Sequence, residues 1–246
     1  MDTTSGDREL RLEVAHNVRH LGGYGTRDGR VTTEVAIRSA SLHRLTARGL
    51  ERLRELGVST IVDLRSDVER VRDVTPDTRR FGIGVVHAPV FQQDASPAGL
   101  AGEFPGFAVV YAMFLDVGAP AYRVLFETLA EAEGRVLFHC AAGKDRTGVA
   151  AALLLELAGV DDEAIIEDYA MTERLLAPLK EQWLPQMRER GFDEAKAAAL
   201  LAAPREDMEE TLRHLRERFG DAEGYARAIG VSGEAISAVR ARLRGS

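Results

Sequence analysis

The fold is decided by the stretch Arg135-Val-Leu-Phe-His139-Cys-Ala-Ala-Gly-Lys-Asp-Arg-Thr-Gly148 and by the apolar run that follows it, Val149 to Ala158. The first five residues are mostly apolar and favour a short buried strand. The run after Gly148 is almost wholly apolar and too long for a typical strand, so it predicts a central helix. The glycine-containing turn between them therefore joins the end of a strand to a helix.

Helices and strands alternate along the chain from residue 43. We predict helices after the cap residue Thr46, around 104–114, over 121–132, after the cap residue Asp161, around 208–219 and after Ser232, and strands over 58–64 and 84–90. Strands separated by helices predict an α/β fold with a mainly parallel central sheet flanked by helices. The part from about residue 160 to 246 reads as helical, and we expect it to pack on the sheet within a single domain, 1–246.

Composition narrows the classes of function. The chain has 246 residues, 45% of them hydrophobic, and a formal net charge of −7. That charge argues against a general affinity for nucleic acid, and so against a DNA-binding module built on the arginines of 225–244. The apolar runs are shorter than the roughly 20 residues that a membrane span needs, so we expect no stable membrane insertion.

The N-terminus and the single cysteine further limit the possible compartment and the possible kinds of site. Met1 to Leu10 has neither the basic start nor the apolar stretch of a secretory signal, so we expect a cytoplasmic protein, with export by another route left open. One cysteine allows no internal disulfide, and the six histidines show no zinc spacing. We therefore predict no metal site, and Cys140 needs an explanation of its own.

The turn after His139 lies where α/β proteins bind anions, because strand ends and helix N-termini place unpaired N–H groups there. Gly143 allows the backbone to curve tightly around an oxyanion. Arg146 offers a planar fork that matches two phosphate oxygens. The residues expected to contact phosphate are Ala141, Ala142, Gly143, Lys144, Arg146 and Thr147.

Cys140 lies at the base of this predicted anion site. A helix N-terminus and nearby cations favour the thiolate, which is the nucleophilic form. Amides and Arg146 together supply the charge stabilisation that phosphoryl transfer requires, so we expect neither a metal nor an organic cofactor. The residues therefore predict a cysteine nucleophile that attacks phosphorus.

The same loop, His139 to Gly148, closely resembles the signature of cysteine-dependent protein tyrosine phosphatases, in particular the bacterial PtpB-like group of tyrosine and phosphoinositide phosphatases. Similar stretches occur in the same order at Asn17–Gly23, Arg38–Ala40, Asp63–Ser66 with Glu69, and Gly224–Leu243. Val18 and His20 depart from the family's first motif, which commonly has phenylalanine and aspartate there.

The resemblance implies a phosphatase-like fold and the hydrolysis of phosphotyrosine in protein substrates through a phosphocysteine intermediate. Its alternatives are a phosphoinositide substrate or dual specificity for serine, threonine and tyrosine phosphates. It also implies that Asp145 is the general acid, acting with Cys140 and Arg146. Asp94, on a predicted loop after the strand over 84–90, is the alternative acid.

Several roles stay open on the sequence alone. Lys144 is either a second cation at the mouth, suited to substrates with more than one phosphate, or a solvated lysine. Thr147 either donates its hydroxyl to the sulfur or caps the helix. His139 either tunes Cys140 or is structural, and Asp63 with Arg65 is more simply an ion pair than a ligand site. For the aromatic residues we favour core packing over a pocket wall; they are Phe104, Phe107, Tyr111 and Phe114.

Three rival readings are weaker. A nucleotide-binding phosphate loop needs a glycine where this chain has Phe138 and a hydroxyl residue where it has Asp145. A sulfurtransferase also uses a cysteine in a strand-to-helix turn, but the continuation Lys-Asp-Arg-Thr favours a phosphatase. A catalytically inactive phosphate-binding relative would be expected to lack Cys140 or Arg146, and both are present.

Overall fold

The computed structural model describes residues 8–91, 106–189, 198–199 and 202–245. Its strands are β1 (Arg19–His20), β2 (Ala36–Ser39), β3 (Val58–Asp63), β4 (Gly84–His87) and β5 (Arg135–His139). Its helices are α1 (Ala47–Glu55), α2 (Asp67–Arg72), α3 (Phe107–Val117), α4 (Ala119–Glu131), α5 (Asp145–Ala158), α6 (Asp162–Leu175), α7 (Ala177–Glu189), α8 (Arg205–Phe219), α9 (Ala222–Ala228) and α10 (Gly233–Arg244).

The five strands form one sheet in the order β1-β2-β5-β3-β4. Strands β2, β5, β3 and β4 run parallel, and β1 pairs antiparallel with β2. His139 at the end of β5 is level with Ser39 on one neighbouring strand and Asp63 on the other. The prediction of a mainly parallel sheet is confirmed. Strands β2, β5 and β3 end at the same edge of the sheet, so the residues that follow them lie side by side there.

Alternation along β5 gives the sheet two buried faces. Val136 and Phe138 belong to the larger core cluster, which includes the residues of α5, whereas Leu137 packs with Leu50 and Leu53 of α1. Helix α5 is buried at every position from Thr147 to Ala158, which explains why its sequence is apolar all round. The helix thus lies between the sheet and the C-terminal helices.

The predicted helix caps are present. Thr46, Asp161 and Ser232 each accept a hydrogen bond from an amide in the first turn of α1, α6 and α10. Helix α1 ends before Gly57, which takes a φ of 75° that other residues seldom adopt. Helix α8 packs on α3 and α6, and α10 packs on α4 and α5. The division into domains stays a prediction.

The structure differs from the sequence prediction at several element ends. Strands β1 and β2 were not predicted, because the alternating pattern was recognised only from residue 43. Strand β4 ends at His87 rather than 90, two residues before Pro89, which has no N–H for the ladder. Helix α5 begins at Asp145, four residues before the apolar run. Phe104 lies outside the described residues.

Within the described ranges, no single helix is long and apolar enough to cross a bilayer; only α3 and α4 taken together, bent by 69°, match in length and composition.

Candidate active site

The backbone between Cys140 and α5 is tightly constrained. Cys140 is 1% exposed at the end of β5. Gly143 has a φ of 68°, and a Cβ atom built there would lie 2.4 Å from the carbonyl oxygen of Ser39 on β2. Both the conformation and the contact therefore require glycine at this position. The predicted role of Gly143 in shaping the loop is thus supported by its geometry.

The loop carbonyls are turned away by donors behind the loop. Asn17 Nδ2 donates to the oxygens of Gly143, at 2.8 Å, and Ala142, at 3.2 Å. Arg38 Nη2 also donates to the Gly143 oxygen, at 2.8 Å. Because C=O and N–H point in opposite directions across a trans peptide, the amides of Gly143 and Lys144 point to the other side of the loop. An anion-binding turn requires that arrangement.

Arg38 belongs to a buried network under the loop. Asp168 of α6 accepts hydrogen bonds from Arg19 Nε, at 2.9 Å, and Tyr24 Oη, at 2.9 Å, and also pairs with Arg38 Nη1. Burial alone would raise the pKa of Asp168, but the charges of Arg19 and Arg38 hold it well below its ordinary value. Burial lowers the pKa of Arg38 to about 10, which still leaves it charged at neutral pH.

Arg146 is fixed by a different carboxylate. Its Nη1 and Nη2 donate to the two oxygens of Glu69, at 2.6 and 2.8 Å. Burial would raise the pKa of Glu69, but the hydrogen bonds and charge of Arg146 lower it to about 2. Although burial disfavours a charged Arg146, its bonds to Glu69 and the charge of a Cys140 thiolate raise its pKa above the ordinary range. Cys140 and Arg146 therefore lie within electrostatic reach of each other.

Glu69 has a second function at the start of α2. It completes a capping box with Ser66, in which Glu69 N donates to Ser66 Oγ and Ser66 N donates to Glu69 Oε2, at 2.9 Å. The short helix α2 thus positions the Arg146 guanidinium. The spacing of Ser66 and Glu69 is a sequence pattern that could have predicted this helix start, but not its contact with Arg146.

Asp145 lies at the first turn of α5, with its side chain 26% exposed. Its Oδ1 accepts a hydrogen bond from Tyr111 Oη, at 2.7 Å, and lies 3.4 Å from Lys144 Nζ. Tyr111 Oη is 2.8 Å from Tyr169 Oη. The predicted core packing of Tyr111 is confirmed, because it is fully buried, yet its hydroxyl also reaches the site.

Lys144 is buried, which its sequence position did not predict. Only 1% of the residue is exposed, so the alternative of a solvated lysine is wrong. The ammonium group lies 3.6 Å from the ring centre of Phe107 and donates to the Ala202 carbonyl at 2.6 Å. Lys144 therefore ties the loop to α3 and to the chain before α8, while it still carries its charge close to Asp145.

His139 is structural in its contacts. Its Nδ1 donates to the Cys140 carbonyl at 3.1 Å, and its Nε2 is 3.8 Å from Asp63 Oδ1. Burial lowers the pKa of His139, against the charge of Asp63, which raises it. Asp63 and Arg65 form the predicted buried ion pair, at 2.7 Å; burial would raise the pKa of Asp63, but the charge of His139 and the bonds and charge of Arg65 lower it to about 2.

Of the remaining predicted residues, Thr147 differs from its prediction, and the roles of the others are not decided by the structure. Thr147 Oγ1 is buried and has no hydrogen-bond partner in the part of the chain that the structure describes, so the predicted bond to the Cys140 sulfur is not formed. Ala141 and Ala142 lie in the loop between β5 and α5 as predicted, and their contact with phosphate stays a prediction. Asp94 lies outside the described residues.

Sequence reasoning gave no functional role to Asn17, Arg38, Glu69, Tyr111 or Asp168. Four of them contact the loop or the first turn of α5 from distant parts of the chain, and Asp168 acts through Arg38. Asn17, Arg38 and Glu69 fell within the stretches that carried the family resemblance. Tyr111 and Asp168 gave no such indication, because each looks like an ordinary position on an amphipathic helix.

The chain is similar in sequence to known phosphatases. Residues 10–245 match the family described as the tyrosine phosphatase family. A tyrosine-protein phosphatase of Nostoc commune is 30% identical over 87% of this chain and 75% of its own length. The triple specificity protein phosphatase PtpB of Mycobacterium tuberculosis is 29% identical over 95% of this chain and 98% of its own. Among solved structures, P. aeruginosa TpbA matches 92% of this chain and 99% of its own with 18% identity and a TM-score of 0.41.

The family match spans nearly the whole chain, and it includes both the strand-to-helix loop with Cys140 and Arg146 and the distant residues that hold them. The chain therefore belongs to the tyrosine phosphatase family.

Proposed function

We propose that the protein hydrolyses phosphate monoesters, with phosphotyrosine in proteins as its main substrate, through a phosphocysteine formed on Cys140. The observation behind this proposal is the loop itself. Asn17 and Arg38 bind its carbonyls on one side, so its amides are free for an oxyanion on the other. Arg146 is held at the same loop by Glu69. A preorganised site of this kind stabilises charge in the transition state without reorganising during the reaction.

In the first step, the Cys140 thiolate attacks phosphorus and an S–P bond forms while the P–O bond to the leaving group breaks. The leaving oxygen takes its proton from Asp145, which becomes a carboxylate. In the second step, water attacks phosphorus and gives a proton to Asp145, the S–P bond breaks, and phosphate and the thiolate are released. The exposed fraction of the Asp145 side chain, 26%, gives the acid access to a substrate oxygen.

The choice of phosphotyrosine follows from the family and is supported by the name of the Nostoc commune relative, a tyrosine-protein phosphatase. The name of the M. tuberculosis relative also supports activity on more than one kind of phosphate ester. Phosphoinositides are the second candidate on the family resemblance alone, because the Lys144 ammonium is buried against Phe107 and bound to the Ala202 carbonyl. The preference among substrates is tested with a panel of phosphotyrosine, phosphoserine and phosphothreonine peptides and phosphoinositides. We expect the phosphotyrosine peptides to have the highest kcat/KM.

The nucleophile is tested with Cys140→Ser, which removes the thiolate and keeps the side-chain size. We expect no measurable turnover of phenyl phosphate, together with retained binding of inorganic phosphate measured by calorimetry. Turnover that survives this change would refute the proposal. Binding lost together with turnover would indicate a damaged loop, which circular dichroism and thermal unfolding would detect.

The general acid is tested by comparing Asp145→Asn with Asp94→Asn. An acid must be protonated to act, so the variant that lacks it loses the limb of the pH–rate profile in which activity falls as that proton is lost. We expect this for Asp145→Asn alone. The same loss in Asp94→Asn alone would transfer the role to Asp94.

A further inference from the structure

Side chains from three helices act on Asp145, directly or through a neighbour, in addition to Lys144 before it. Tyr111 comes from α3, Tyr169 from α6 and Asp207 from the first turn of α8. Tyr111 binds Asp145 directly, and the charges of Asp145 and Asp207 both act on Tyr169. The acid is therefore linked to α3, and through Tyr111 to α6, by contacts that the loop sequence does not specify.

The protons of the two tyrosines can be assigned. Burial, followed by the charge of Asp145, raises the pKa of Tyr111 and of Tyr169 far above neutral, so both phenols keep their protons. When the Asp145 carboxyl group is ionised, its Oδ1 can only accept, so Tyr111 gives it its one proton. In the 2.8 Å contact between the two hydroxyls, Tyr169 must therefore be the donor. The order of donation is Tyr169 to Tyr111 to Asp145.

Both donors near the carboxyl group meet the same oxygen. Tyr111 Oη and Lys144 Nζ approach Oδ1, and no described residue forms a hydrogen bond to Oδ2. Oδ1 accepts from Tyr111 and lies beside the Lys144 ammonium, which makes it the poorer place for a proton, so the acidic proton of Asp145 belongs on Oδ2. The carboxyl group is thereby fixed both in orientation and in the oxygen that can give up its proton.

Gly148 makes this arrangement possible. A Cβ atom at this position would lie 3.1 Å from Cδ2 of Tyr169, which is tighter than an ordinary contact. The absence of a side chain on α5 therefore allows the Tyr169 ring to lie against the first turn of that helix, from which Asp145 projects.

We propose that Tyr111, supported by Tyr169, is a positioning residue that aims Oδ2 of Asp145 at the leaving oxygen. This inference rests on the proposed function. Tyr111 contacts the acid and not the reacting atoms, so its loss harms the proton transfer and leaves the nucleophile and the phosphate site intact. Its effect is expected to depend on how much the leaving group needs a proton.

The test compares two substrates in Tyr111→Phe: phenyl phosphate, whose leaving group is basic and needs protonation, and p-nitrophenyl phosphate, whose leaving group is far less basic. We expect kcat/KM to fall about 10-fold for phenyl phosphate, a fraction of the roughly 10²–10⁴ that a placed acid contributes, and by no more than about 2-fold for the nitrophenyl ester. Tyr169→Phe should show the same pattern with a smaller loss.

The matched control is Tyr225→Phe. It also removes a buried hydroxyl, which donates to the Leu115 carbonyl at 2.7 Å, but it does not touch the loop. We expect kcat/KM for each ester to stay at its wild-type value, so that neither substrate is affected more than the other. A general loss of stability would affect both substrates alike and would appear in the thermal unfolding of either variant.

The outcomes separate the inference from the function. An equal loss on both esters in Tyr111→Phe, or no loss, overturns the positioning role. If Tyr111→Phe fails to fold, Tyr169→Phe decides, since equal losses there also contradict the inference. If Asp145→Asn shows no greater loss on phenyl phosphate while turnover still requires Cys140, the inference fails and the phosphatase proposal stands. A wild-type protein that hydrolyses neither ester defeats both.

Discussion

Arg38 and Arg146 are both held by a carboxylate close to the loop after Cys140, but they differ in burial and in role. The Arg38 side chain is wholly buried, pairs with Asp168 and donates to the Gly143 carbonyl. The Arg146 side chain is 14% exposed and pairs with Glu69 at the mouth of the site. Arg38 fixes the backbone of the loop, whereas Arg146 is the arginine proposed to bind the substrate phosphate.

The difference lies in what surrounds each ion pair. A buried pair adds little net stability relative to an apolar core, but the loss of one partner leaves a charge without compensation. A pair at the mouth can exchange part of its contacts for a substrate phosphate. The first kind of pair is therefore expected to influence folding, and the second to influence turnover.

The largest expected effect comes from Asp168→Asn. It leaves Arg19 and Arg38 buried without their counter-charge, so we expect the free energy of unfolding to fall by about 3–5 kcal/mol. The change in the free energy of unfolding is measured by chemical denaturation. The control is Asp116→Asn, which removes an exposed carboxylate paired with Arg218 and should cost less than about 1 kcal/mol. Similar losses in both variants would refute the distinction between the two kinds of pair.

The next effect separates the two arginines directly. Arg146→Lys loses the planar fork, so we expect kcat/KM to fall about 10²–10³-fold with little change in stability. Arg38→Lys should instead lower the free energy of unfolding more than Arg146→Lys does. Steady-state kinetics and denaturation of the two variants provide the measurement. A reversed order, with Arg38→Lys inactive yet fully stable, would contradict the assignment.

The smallest effect is expected for Glu69→Gln, which keeps the shape of the side chain and removes its charge. We expect kcat/KM to fall about 10-fold, because Arg146 loses part of its orientation. Glu127→Gln, on an exposed pair with Arg123, is the control and should change nothing.

The stability of Glu69→Gln adds a test of pH dependence. The pKa of Glu69 falls from its ordinary value of 4.5 to about 2 in the folded protein. A carboxyl group whose pKa is lowered by folding contributes stability that is fully present above its ordinary pKa and is lost as the pH falls through the folded value. The difference in unfolding free energy between wild type and variant should therefore be constant above about pH 5 and shrink towards pH 2. A difference that grows with acidity would contradict the lowered pKa.

The sequence predicted the reactive residues of the loop better than the distant residues that hold the loop in place. Cys140, Gly143 and Arg146 lie in one strand-to-helix turn, so their spacing alone brings them together, and the central strand and helix follow from their apolar runs. Asn17, Glu69 and Asp168 reach the same point only because the sheet places three strand ends side by side and α6 packs behind them. Short strands such as β1 have too few residues to show a pattern, and buried charged residues resemble surface ones until the fold is known.

The capping box of α2 has a consequence for local motion. Glu69 begins a helix of only six residues and holds the Arg146 side chain, so fraying of that helix also releases the guanidinium. Opening of this one short segment would therefore leave Arg146 without its anchor while the sheet stays folded. The amide exchange rates of α2 would report how often the segment opens.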